Sequence, residues 1–133
     1  MSGHLSTADK IEILEIFSRY CHAVDHGDGD GWAGLFTLDG VFEVVGAVRL
    51  EGTAQLGSMP AGVTEQGGGK WRHQVTSVVS DPGPEPGTAM VKAYGLVTDW
   101  RDGGKVAIFT DYEITLRRVG DAWRIATLNA RMP

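Results

Sequence analysis

A single cysteine, Cys21, stands in 133 residues, which excludes an internal disulfide and any cysteine-rich zinc site. Basic residues are few and scattered. Lys and Arg total 12 against 17 Asp and Glu, a net charge of −5, so the chain has no electrostatic footprint for nucleic acid and no polybasic patch for a membrane surface. No apolar run approaches the roughly 20 residues that cross a bilayer. Met1-Ser2-Gly3-His4 leads into polar residues without the apolar centre of a signal peptide. A cytoplasmic protein without nucleic-acid or membrane partners is the expectation. There is no internal repeat.

What is present suits one domain spanning residues 1–133, long enough to bury about two-thirds of its unfolded surface and still enclose a small pocket. Ser6 and Asp9 form a shortened capping box ahead of a helix from Thr7 to Val24. Its apolar stripe runs through Ile11, Leu14, Ser18, Cys21 and Asp25, with Ile13, Phe17, Tyr20 and Val24 beside it. Gly27 stops this helix. Asp30 is placed to cap a short second one containing Trp32, Leu35 and Phe36. A strand follows at Val41–Val45, then a weak helix from Glu51 to Ser58. Met59 to Lys70, with glycine at 62, 67, 68 and 69, reads as a mobile loop.

Four strands then dominate: Trp71 to Ser80, Thr88 to Trp100, Lys105 to Arg118 and Ala122 to Ala130. Pro82-Gly83-Pro84, Asp102-Gly103-Gly104 and Gly120-Asp121 separate them, as in an antiparallel meander. Helices first and strands later make an α+β layout, with the helical stripe buried on one face of the sheet.

Alternation assigns the faces of these strands. Trp71, His73, Val75, Ser77 and Val79 share the more apolar face of the first, which turns His73 inward. An inward histidine is either satisfied by a backbone carbonyl or available for chemistry. In the last strand Trp123, Ile125, Thr127, Asn129 and Arg131 share a face. Asn129 then approaches the core or makes a hydrogen bond at a strand end. Asp25 lies on the helical stripe, where a carboxylate is costly unless paired. It is also unfavourably placed at a helix C-terminus, unless it simply faces solvent. Tyr20 suits the edge of a cavity, with its ring in the core.

Two other patterns fail. Asp28-Gly29-Asp30-Gly31 resembles part of a calcium loop, but His26 and Thr37 would fall where that loop needs carboxylates. His22 and His26, four apart, would need further ligands to hold zinc. No phosphate-binding glycine loop and no nucleophilic-serine elbow is present.

The order of these features, with Tyr20 and Asp25 on the first helix, then Trp32 and Phe36, the Asp39-Gly40-Val41-Phe42 strand start, inward His73 and three long strands after it, resembles the SnoaL-like branch of the nuclear transport factor two-like superfamily. The resemblance covers nearly the whole chain. It implies a cystatin-like α+β barrel: a cone in which a curved mixed sheet wraps the long helix, with additional short helices and a pocket at the open end. Within that branch the sequence is most similar to the scytalone dehydratase and hexachlorocyclohexane dehydrochlorinase group, whose members pair a His with an Asp. The matching positions are His73 and Asp25. Tyr20, Asn129 and Arg131 match pocket positions, with Trp32 and Phe42 on the pocket wall. The chain stops at Pro133, short of the C-terminal lid segment common in that group.

The resemblance implies a cofactor-independent lyase, dehydratase or isomerase acting on a small apolar ring substrate, with no metal required. Polyketide cyclase or epoxide hydrolase activity, or non-catalytic binding of a small ligand, are the alternatives on this fold. An outer sheet face carrying Val78 and Leu128 is expected to be covered in a homo-oligomer, a dimer or trimer.

Overall fold

A computed structural model describes residues 3–133. The first helix, α1 (Thr7–Asp25), is capped as its sequence predicts. Ser6 Oγ accepts from Asp9 N–H at 3.0 Å, and Asp9 Oδ2 accepts from Ser6 N–H at 2.9 Å. Its buried face is Ile13, Ile16, Phe17, Tyr20, Val24 and Asp25, while Ile11 and Leu14 are exposed, so the core-facing stripe is narrower than expected. In α2 (Gly29–Ala33) the cap is Asp28, not Asp30, with its side chain accepting from Gly31 N–H. This helix ends before Phe36, which opens strand β1 (Phe36–Val44). A register shift in β1 between Phe36 and Val41 pushes Leu38 into solvent.

Strand β2 (Val48–Glu51) and helix α3 (Gly52–Gly57) follow. The glycine-rich segment expected as a loop is instead helix α4 (Met59–Gly67). Pro60 suits its first turn, and Gly68, at φ 60°, takes the left-handed conformation that closes it. Burial of Pro60 and Val63 overrides the poor helix propensity.

The long strands β3 (Trp71–Pro82), β4 (Thr88–Asp99), β5 (Lys105–Val119) and β6 (Ala122–Arg131) form the antiparallel meander. Strand β6 also pairs in parallel with β1. The result is an open mixed sheet of order β2-β1-β6-β5-β4-β3, curved around α1. Its inner face carries Phe42, Val91, Ala93, Val97, Tyr112, Ile114, Leu116, Trp123 and Ile125.

Two bulges reverse the alternation that the sequence suggested. In β3 the register shifts between Thr76 and Val79, and Ser77 takes φ 56°. Beyond it Val78 packs against the core and Ser80 is buried, whereas Val79 is 55% exposed. In β6 the shift falls between Ile125 and Thr127, opposite Leu116 and Thr115. Leu128 and Ala130 therefore turn inward, at 0% and 1% exposure. Asn129 and Arg131 turn outward, and the expected outer-face residues Val78 and Leu128 belong to the core side.

The N-terminal turn of α1 is clamped to the sheet. Trp123 Nε1 and Arg118 Nη1 both donate to Asp9 Oδ1 at 3.0 Å, and Trp123 N–H donates to Glu12 Oε2 at 2.7 Å. The Trp123 indole, with the Ser6 contacts and Arg118, holds the Asp9 carboxyl down at about 2. A carboxylate with a depressed folded value stabilises the fold above its unfolded value and loses that contribution as it protonates. Stability should therefore decline between about pH 4 and pH 2 as Asp9 protonates. Asp9→Asn should lower the melting temperature at neutral pH and flatten this acid limb, read by thermal melts at successive pH values.

Candidate functional site

Asp25 ends α1 and His73 lies two residues into β3, 48 positions away. Strand β3 is the edge of the sheet, so backbone groups on its outer side have no neighbouring strand. Asp25 meets one of them. Its carboxylate accepts the His73 backbone N–H at 3.1 Å to Oδ1 and 2.9 Å to Oδ2. The same Oδ1 lies 2.7 Å from His73 Nδ1. Both side chains are nearly enclosed, His73 at 9% and Asp25 at 5% exposure. A carboxylate at this distance holds the proton on Nδ1, which leaves the Nε2 lone pair of a neutral ring free.

The other end of α1 is tied to the same edge. Lys10 Nζ donates to Ser80 O at 2.8 Å and to Ser80 Oγ at 3.2 Å. Between the two ties runs a groove of about 330 Å³, lined from α1 by Leu14, Phe17 and Cys21 and from β3 by His73, Val75 and Val78. Burial pushes the Cys21 thiol up to about 11, which keeps it protonated and unreactive at neutral pH.

Tyr20 is 1% exposed and packs against Phe17, Trp32 and Tyr112. Its hydroxyl lies 3.2 Å from that of Tyr112. Burial raises Tyr20 well above its usual value and Tyr112 to about 12, so both remain protonated. Trp32 contacts Phe36 and Phe42 with ring centroids at 4.8 and 5.4 Å. Its indole N–H is buried without an acceptor among the described residues. Tyr20, Trp32 and Phe42 thus form packed core beneath the dyad rather than the wall of an open cavity.

Asn129 and Arg131 do not join them. Asn129 lines a depression on the outer sheet face with Met90, Lys92, Glu113 and Thr127, and Arg131 is exposed. The cause is the β6 bulge, which shifts the alternation by one residue. Tyr112, which the sequence reading did not single out, takes the inward place. The spacing of Thr110, Tyr112, Ile114 and Leu116 along β5 is the signal that marks it. His22 and His26 stack at 6.2 Å on the exposed side of α1. No group of three or more potential metal donors gathers among the described residues.

The SnoaL-like domain family matches residues 6–129. The chain belongs to this family. No curated protein matches the SnoaL-like chain significantly. Among solved structures, a protein of unknown function from Mycobacterium tuberculosis is similar at 27% identity and TM-score 0.86, covering 95% of this chain and 77% of its own. A nuclear transport factor two-like protein with a cystatin-like fold from Novosphingobium aromaticivorans is 23% identical, with TM-score 0.85 and coverage of 94% and 82%. A scytalone dehydratase-like protein from the same organism has TM-score 0.75 at 15% identity, over 95% of this chain and 85% of that one. The SnoaL-like fold is thus cystatin-like α+β, with its sheet left open. Among the described residues no helix is long and apolar enough to cross a membrane.

Gly95 pairs with Thr110, and the Tyr112 ring leans over it, so a Cβ there would come within 2.6 Å of the tyrosine Oη and Cε1. Gly95→Ala should displace the Tyr112 ring, break its contact with Tyr20 and destabilise the protein by about 1–3 kcal/mol. Urea denaturation measures the loss, and an unchanged midpoint would contradict this packing.

Proposed function

We propose that this SnoaL-like protein is a cofactor-independent lyase or isomerase for a small, mostly apolar ring substrate, with His73 as general base and Asp25 as its partner. The observation that carries this reading is the 2.7 Å contact between Asp25 Oδ1 and His73 Nδ1 in a nearly enclosed setting. In a dehydration, neutral Nε2 takes a proton from a ring carbon beside a carbonyl. The C–H electron pair becomes the new C=C bond as the hydroxyl on the adjacent carbon departs. That hydroxyl takes a proton from Nε2–H and leaves as water, which restores the neutral ring. Asp25 fixes the tautomer and stabilises the imidazolium formed between these transfers. Low exposure strengthens that stabilisation. Tyr20 and Tyr112 stay protonated and hydrogen-bonded to each other in the packed core, with Trp32 and Phe42 as apolar backing beneath the dyad. Asn129 and Arg131 have no role in this mechanism.

Cyclic β-hydroxyketones are suitable probes, because the carbonyl acidifies the adjacent C–H enough for imidazole. His73→Ala should lower turnover at least about a hundredfold. Asp25→Asn should also be severe, since an amide orients the ring without stabilising its charge. Full turnover by His73→Ala would end the general-base reading. The apolar groove between α1 and β3 supports a second reading, a module that binds such rings without transforming them. Calorimetric binding with no turnover in the parent protein would select it.

We also propose a homo-oligomer formed through the outer sheet face. Val79, Met90 and Tyr94 are exposed there at 55%, 47% and 46%. Lys92 and Glu113, cross-strand partners on β4 and β5, are both exposed. A two-fold axis through the face would set Lys92 of one copy against Glu113 of the other. Light scattering at micromolar concentration should give a multiple of 14.3 kDa, and a monomeric mass would overturn the proposal.

A further inference from the structure

A pocket of about 410 Å³ lies over β1, β6 and the end of β5, and shares no lining residue with the groove beside His73. Phe36, Leu38 and Val119 give it apolar walls. Phe36 is buried, whereas Leu38 is 85% exposed and Val119 45%. No other large apolar side chain among the described residues is as exposed as Leu38. The hollow thus offers apolar surface to whatever enters it from solvent.

Its polar lining is positively charged. Arg117 on β5 and Arg124 on β6 both line the pocket and are direct cross-strand partners. Such partners point to one face of the sheet with Cβ atoms about 5 Å apart, where like charges repel. One exposed carboxylate answers them. Asp39 Oδ1 accepts from Arg117 Nη2 at 3.3 Å and from Thr37 Oγ1 at 2.9 Å. Thr37 itself lines the pocket and is 3% exposed. Arg124 Nη1 donates to the Gly34 carbonyl, and Arg124 makes no ion pair among the described residues. Two guanidinium groups therefore share one carboxylate, in a chain whose net charge is −5.

We propose that this pocket binds a small carboxylate with an apolar body: the carboxylate on the Arg117–Arg124 pair, the body against Phe36, Leu38 and Val119. A guanidinium fork meets a carboxylate through two parallel hydrogen bonds, and a second positive charge beside it removes the repulsion within the pair. The volume falls within the range of small-molecule sites. The site does not depend on the general-base reading, since neither Asp25 nor His73 lines it. It also stands apart from the exposed Val79, Met90 and Tyr94, which belong to β3 and β4.

Calorimetric titration with hydrocinnamate and with its neutral amide tests this on the parent protein. The acid should bind at least about tenfold more tightly than the amide. Arg117→Gln and Arg124→Gln should each weaken the acid about fivefold or more and leave the amide unchanged. Leu38→Ser should weaken both, because it removes apolar surface rather than charge. Asp39→Asn takes away the carboxylate that competes for Arg117 and should tighten the acid about threefold. His73→Ala should bind the acid as the parent does, which separates this pocket from the groove between α1 and β3. Equal affinity for acid and amide, or no binding of either, would overturn the proposal without recourse to any variant. Undiminished binding in folded arginine variants would overturn it too, as would loss of binding in a folded His73→Ala.

Discussion

The structure depends on how one helix covers one open sheet edge. Strand β3 has a partner on one side only, and α1 supplies the other. Asp25 takes the His73 N–H, and Lys10 reaches the Ser80 carbonyl. The two ties are 15 residues apart on the helix, a rise of about 22 Å. They are seven residues apart on the strand, a span of about 23 Å before the bulge shortens it. Helix and strand run antiparallel with nearly matching lengths, so both ties close together. The carboxylate at the helix C-terminus opposes the helix dipole, but donors from His73 offset that cost. The contact that seals the edge is also the one that orients the imidazole.

The bulges decide which side chains the cone encloses. Each inserts a residue, and each reverses every position beyond it. In β3 the reversal comes after His73, so the histidine keeps the face its alternation assigns. In β6 it comes before Asn129, so the asparagine loses that face to Leu128 and Ala130. One asparagine and one arginine thereby leave the interior, and Tyr112 from the neighbouring strand becomes the polar companion of Tyr20. The glycine at 95 belongs to the same arrangement, since the phenol ring occupies the space a side chain there would need.

The aromatic cluster sets the polarity around the dyad. Tyr20, Trp32, Phe36 and Phe42 join α1, α2 and β1 through ring contacts from 4.8 to 5.4 Å. Water is excluded from that side, and the two tyrosines keep their protons because burial penalises the phenolate. The groove between α1 and β3 leaves His73 its remaining approach.

Much of this was legible in the residues themselves. The capping box at Ser6, the periodicity of α1, the turn glycines of the meander and the inward side of His73 all follow from local rules, because each depends on neighbours within one helical turn or one strand repeat. Those rules place α4 among the loops, since its glycines outweigh its few apolar residues until tertiary burial is added. They cannot locate a bulge, which is set by pairing with a strand distant in sequence, and so they misplace Asn129, Arg131, Val78 and Leu128. By itself the sequence determined that Asp25 and His73 each turn toward the core. Only the tertiary structure, laying α1 along the free edge of β3, decided that the two meet, because 48 intervening residues impose no local geometry and an unpaired edge N–H must find an acceptor.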